Sequence, residues 1–196
     1  MTKRTFTLRE ALKKLKSHYG RPEAPPTTDP FALVLFENVA YLATPERRRQ
    51  AFELLERTVG LTPTKILAAR KPELDRVTAH GILKSTFTKK LRDCAQIVVD
   101  EFDGDLDAAT RGPEQTAIRA LRLFPGIGEP GAEKILLFAG RSTRLAPESN
   151  GLRVLVRLGL ITEESSYART YSGSRRATNS LSQDPALVQE AHLLLR

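Results

Sequence analysis

Residues 121–140 read LRLFPGIGEPGAEKILLFAG. The spacing predicts a helix ending at Phe124, a tight turn at Pro125-Gly126-Ile127-Gly128, and a second helix from near Pro130 through Ala139, stopped by Gly140. Two glycines around one aliphatic residue allow positive φ and close backbone approach. Ile127 between them pins the turn to the core. The free N–H groups of the turn and the N-terminus of the next helix then face outward, which is an arrangement that holds a phosphate oxygen. From these residues alone two readings stay open: a phosphate-backbone site, or an ordinary turn between helices with a glycine cap. Arg141 and Arg144 follow, in a loop that leads to Glu148-Ser149-Asn150-Gly151-Leu152-Arg153. Other basic clusters are Arg47-Arg48-Arg49, then Lys84, Lys89, Lys90 and Arg92, and Arg175-Arg176 in a Ser-rich stretch (171–182) read as a mobile segment. Such runs are commonly solvated faces, and the two loop arginines are preferred as phosphate contacts for their place between hairpin and Glu148.

These residues must be positioned by helices. Thr7-Leu8-Arg9-Glu10 is a capping-box pattern that opens a basic helix to about Tyr19. Four prolines between Gly20 and Pro30 read as a connection. The apolar run 30–43 (PFALVLFENVAYLA) fits a buried helix with Asp29 as N-cap and Pro30 first. Thr44-Pro45 starts a helix through about Val59, and Thr62-Pro63 and Lys71-Pro72 start two short ones. Residues 86–102 place Leu91, Cys94, Ala95, Val98 and Phe102 on one face before a stop at Gly104. Pro113 to Phe124 is amphipathic, with Ile118, Leu121 and Leu123 apolar. No period-two pattern of strands is found, so the class is all-α, with about ten helices.

Composition bounds the function. The 196 residues carry 31 Lys and Arg against 23 Asp and Glu, a formal net charge of +8. That balance suits a polyanion, most simply nucleic acid. Cys94 is the single cysteine, so neither a disulfide framework nor a four-cysteine zinc or iron–sulfur site can be built from this sequence; Cys94 itself reads as core. His18, His80 and His192 lack metal-ligand spacing. No apolar stretch of about 18 residues is present, and the N-terminus lacks an apolar signal core. The expectation is therefore a cytoplasmic protein, nucleoid-associated in a bacterium, with no membrane partner.

The hairpin, the loop after it, the apolar helix 30–43, the segment 80–102 and the Phe102-Asp103-Gly104-Asp105 stretch occur in the order found in endonuclease-III-like DNA glycosylases. The sequence resembles this helix-hairpin-helix (HhH-GPD) superfamily, over residues 29–160 above all. The resemblance implies a two-lobed helical fold with double-stranded DNA in the cleft between lobes, one lobe at 28–135 and the other made of 1–27 and 136–196. It implies backbone contacts to phosphate from Pro125, Gly126, Ile127, Gly128 and Gly131, with Lys134, Arg141 and Arg144 as further DNA contacts. It also implies a monovalent cation at the hairpin through the carbonyls of Phe124 and Gly126. In the family a loop aspartate, followed five positions later by arginine, serves catalysis. Glu148 and Arg153 occupy those positions here. A carboxylate there stabilises the oxocarbenium-like cation as the base leaves, and orients or deprotonates water.

Three departures shape the expected activity. Family members that cut the strand place a lysine two positions after the second hairpin glycine; this chain has Pro130, and Lys134 lies one turn further on. A monofunctional glycosylase of base excision repair is therefore expected, producing a free base and an intact abasic strand. Glu148 replaces aspartate, which keeps a non-catalytic DNA-binding protein open as the alternative. A strand-cutting lyase that uses another amine, such as Lys134, is a further alternative. The family's iron–sulfur loop is not expected. Glu37, Asn38, Tyr41 and Asn150 are the candidates for a base pocket or for filling the vacated stack, although Asn150 also suits a helix cap. No cofactor beyond the hairpin cation and a monomeric state complete the expectation.

Overall fold

A computed structural model of the chain describes residues 7–178, 181 and 184–196. Among them are twelve helices and no strand: α1 (Leu8–Tyr19), α2 (Pro30–Asn38), α3 (Pro45–Thr58), α4 (Pro63–Ala68), α5 (Lys71–Thr78), α6 (Lys84–Phe102), α7 (Leu106–Ala109), α8 (Glu114–Leu121), α9 (Glu129–Phe138), α10 (Ser149–Arg157), α11 (Tyr167–Thr178) and α12 (Pro185–Leu195). The chain divides into two compact units, one of residues 25–141 and one of residues 1–24 with 142–196. No helix is long and apolar enough to cross a membrane among the described residues.

The middle unit is built around two helices that are buried along most of their length. The first is α2, whose start is fixed by Asp29 accepting the Ala32 N–H at 2.8 Å, with Pro30 in the first turn. The second is α9, buried from Ala132 to Phe138. Around them, α4 and α5 are tied to α6 by polar contacts. The Arg92 guanidinium donates to the carbonyls of Leu67 (3.1 Å) and Ala69, groups left open at the end of α4. The Thr88 hydroxyl donates to Asp75 at 2.7 Å. Lys71 and Thr88 beside Asp75 hold its carboxyl below the usual range. Arg92 therefore serves α4, Lys89 pairs with Asp93 at 2.6 Å, and the basic cluster read from the sequence is not one uniform face.

The apolar run 30–43 is not a single helix. It ends at Asn38, and the chain then turns through Tyr41 and Leu42, with Leu42 in the left-handed region at φ 52°. The cause lies forty residues away: a Cβ on Gly81 would stand 2.5 Å from the Tyr41 nitrogen, so the two backbones touch there. The Ile82 N–H seals the contact on the Tyr41 carbonyl at 3.1 Å. Leu123 also differs from expectation. It is exposed, because α8 stops at Leu121 and the next residues turn toward the hairpin.

In the other unit α1 begins as its sequence dictates, with Thr7 and Glu10 exchanging side-chain-to-backbone bonds. It packs along α12, where Lys16 meets Glu190 at 2.8 Å. The residues 171–178, read from the sequence as part of a mobile segment, belong to α11; a Ser-rich stretch is helical here because Tyr171 and Ser174 are buried. The side chain of Arg176 lies outside the described residues.

Candidate nucleic-acid interface and candidate carboxylate

The hairpin turn joins α8 to α9. Gly126 has φ 81°, a conformation that strains any residue with a side chain. Gly128 instead is the extended N-cap of α9, at φ −87° and ψ −175°, and a Cβ there would meet nothing nearer than the Pro130 ring at 3.9 Å. The leading N–H groups of α9, including that of Gly131, fall in the first turn and have no acceptor within the helix. Pro130 contributes no N–H to this set. Ile127 is buried beneath the turn and donates its N–H to the Phe124 carbonyl at 3.1 Å. The two glycines thus serve different purposes, and their substitutions separate. Gly126→Ala is expected to lower stability by about 1 kcal/mol. Gly128→Ala is expected to leave the melting curve unchanged and to weaken duplex binding, because the new methyl stands before the donors. Thermal melts beside fluorescence anisotropy measure both; equal binding by Gly128→Ala and wild type would remove phosphate from this turn.

The floor of the turn is polar. Asn38 is buried, donates to the Val34 carbonyl at 3.1 Å, and directs its amide oxygen to within 3.6 Å of where a Gly126 Cβ would be. The Lys90 ammonium lies 3.7 Å from the same point and 4.4 Å over the Phe87 ring. Tyr41 stacks on that ring at 4.8 Å between centroids. Glu37 and Lys134, expected as separate base and phosphate contacts, are one ion pair at 2.7 Å, with side chains 21% and 10% exposed. Sequence reasoning also missed three residues at this edge. Leu42 and Leu83 are 72% and 58% exposed, both with left-handed backbone, and Ile82, exposed as well, donates its N–H to the Tyr41 carbonyl at 3.1 Å. Their signal in the sequence was only His80-Gly81-Ile82-Leu83, an apolar pair after glycine.

The carboxylate belongs to the other unit. Glu148 is the N-cap of α10, with its carbonyl accepting the Leu152 N–H at 2.9 Å. Its side chain does not cap the helix, and its Oε2 lies 3.7 Å from Arg196 Nε. The positive end of the α10 dipole favours a carboxylate at this point. Asn150 is inside the first turn rather than at the cap, and its amide oxygen accepts from Arg153; the cap reading is corrected because Glu148 takes that place. The Arg144 N–H donates to Ser142 Oγ at 3.1 Å. Arg141 is turned to its own unit: its guanidinium donates to the Asp107 carbonyl at 2.7 Å, to Thr110 Oγ1 and to the Asp107 carboxylate. Arg111, and Arg141 with it, hold the Asp107 carboxyl low. Arg141 also borders a cavity of about 290 Å³ with Arg111, Glu114 and Leu136, which none of the base-pocket candidates lines. Burial pushes the Cys94 thiol up to about 12, so it is an inert core group. Among the described residues no group of three or more His, Cys, Asp or Glu could hold a metal ion.

The chain has the all-helical fold of solved DNA glycosylases. It is similar to endonuclease III in a trapped covalent intermediate with DNA, at 15% identity and a TM-score of 0.73, over 97% of this chain and 84% of that one. A thermostable thymine-DNA glycosylase aligns at 14% identity and a TM-score of 0.72, over 96% of this chain and 83% of that one. The 3-methyladenine DNA glycosylase MagIII of H. pylori, bound to 1,N6-ethenoadenine, aligns at 18% identity and 0.71, over 97% and 95%. By sequence, the chain matches no family model and no curated protein.

Proposed function

We propose that this chain is a monofunctional DNA glycosylase that hydrolyses the N-glycosidic bond of an altered or mispaired base in duplex DNA. The observation that carries the reading is Glu148, a carboxylate at the N-terminus of α10 that is not used to cap its helix, in a chain with a glycosylase fold. As the base departs with the bonding electrons, the sugar carbon becomes cationic, and a fixed carboxylate stabilises it. The same group takes a proton from the incoming water, whose oxygen bonds to the sugar carbon. The hairpin backbone at Gly126, Gly128 and Gly131 holds the phosphates. A monovalent cation fits beside it in one respect: the Phe124 carbonyl keeps a second lone pair after accepting from Ile127. Such an ion would be held by that oxygen and the Gly126 carbonyl. Tyr41, Leu42, Ile82 and Leu83 form an apolar edge able to enter the stack that a rotated base vacates, which offsets part of an unstacking cost of a few kcal/mol.

Lyase chemistry is not part of the proposal. A Schiff base needs a neutral amine, Pro130 offers none, and the Lys134 ammonium is held against Glu37 at 2.7 Å. The test is single-turnover release from duplexes carrying uracil, oxidised, alkylated, deaminated or mismatched bases, each read with and without alkali. Strand breaks only after alkali are expected for at least one. The replacement of aspartate by Glu148 favours one other reading, a DNA-binding protein without chemistry. Salt-sensitive binding with no release from any duplex would select it.

A further inference from the structure

The segment that carries Glu148 is held from behind by three residues of one helix face. His192, Leu195 and Arg196 are spaced i, i+3 and i+4 and therefore line one side of the end of α12. His192 is 2% exposed, and its Nδ1 stands 2.9 Å from the Ala146 carbonyl. A carbonyl only accepts, so this nitrogen carries the proton and donates. Leu195 packs on Gly151: a Cβ added there would lie 3.5 Å from the Leu195 Cβ and 3.2 Å from the Pro147 Cβ. Arg196 reaches the Glu148 carboxylate itself, at 3.7 Å.

We propose that the last turn of α12 is the positioning element for Glu148, with His192 fixing the chain two residues before it and Arg196 steering its carboxylate. The proposal rests on the reading of Glu148 as the reacting carboxylate. Between the anchored Ala146 carbonyl and Glu148 stands Pro147, whose ring fixes its own φ and restricts Ala146 as well. The link is therefore stiff, and a shift at Ala146 is passed on to Glu148 rather than absorbed. His192 and Arg196 are positioning residues, since neither has to touch DNA. A carboxylate displaced by about 1 Å can lose on the order of 10²-fold in rate, so even small slack at His192 is expected to register.

Four variants test this. His192→Phe keeps the volume and removes the donor, whereas His192→Asn places an amide N–H near the position of Nδ1. Arg196→Met removes the charge from a half-exposed side chain, and Arg196→Lys restores it. The expected result is a single-turnover rate at least ~10-fold lower in His192→Phe, largely recovered in His192→Asn, with the duplex Kd unchanged in both. Arg196→Met is expected to fall several-fold and Arg196→Lys to recover. Unchanged rates in His192→Phe and Arg196→Met, or a loss that lies wholly in Kd, would overturn the proposal. Hydrogen exchange supplies a readout without substrate. In His192→Phe the amides of 152–157 should exchange faster while those of α1 keep their protection. If wild type releases no base from any duplex, the enzyme reading fails, and this exchange arm still decides whether α12 holds the segment: unaltered protection of 152–157 overturns it.

Discussion

Glu148→Gln is expected to reduce single-turnover base release by about 10²–10⁴-fold while leaving the duplex bound. The substitution is isosteric and removes only the charge. The local backbone should not change, because Glu148 caps α10 through its carbonyl, with Leu152 as the donor, and its side chain makes no cap bond. The ion pair with Arg196 lies at 3.7 Å between partly exposed groups, and such pairs contribute about 1 kcal/mol or less to stability. The melting curve should therefore hardly move. Binding should hold or tighten slightly, since a negative charge leaves a surface proposed to face phosphates. An amide can still orient a water, but it cannot take a proton from it or balance a cationic sugar, and both losses act on the chemical step. A variant that releases base at the wild-type rate would place the chemistry elsewhere. Glu148→Asp adds a second control. It keeps the charge and withdraws it by roughly one bond length, so in a loop shaped for glutamate it should lose up to about 10²-fold. A faster aspartate variant would show that the loop geometry suits the shorter side chain.

The parts of this fold legible in the sequence are those settled by local chemistry. Thr7, Asp29, Thr44 and Thr62 each cap a helix, and three of them precede a proline in its first turn. The hairpin turn was equally local, with Ile127 buried beneath it, but the sequence offered both glycines for positive φ and only Gly126 takes it, Gly128 being the extended cap of α9. What the sequence hid depends on distant partners. The run 30–43 has helical composition throughout, yet it breaks after Asn38 because the Gly81 backbone presses on Tyr41. That contact turns Leu42 outward, and no pattern within 30–43 announces it. Glu37 and Lys134 are 97 positions apart, so each was assigned its own partner in DNA rather than the other. Arg141 was expected as a phosphate contact by its place in a loop, and three acceptors on Asp107 and Thr110 have drawn it inward. His192 showed no metal-ligand spacing, and nothing in the sequence connected it to Ala146.

Lys134→Met is expected to lower stability by about 2–3 kcal/mol and to leave the chemistry intact. Removing one member of an ion pair takes from the other its charged partner, at a cost of about 3–5 kcal/mol when burial is complete. Glu37 is 21% exposed and can recover part of its hydration, which places the expected cost below that range. The double variant Glu37→Gln with Lys134→Met should regain most of the loss, because neither charge then remains in the unit. Equal and additive effects in the two single variants would show that the pair is not coupled. The same variant decides the lyase question. Lys134 lies one helical turn beyond the position where a strand-cutting relative would carry its amine, and Glu37 holds it as an ammonium, which has no lone pair to attack a sugar carbon. Borohydride is therefore expected to trap no covalent adduct between wild type and a duplex containing an abasic site. An adduct formed by wild type and lost in Lys134→Met, at a temperature where both are folded, would mean that the pair opens during the reaction and that this lysine is the nucleophile after all.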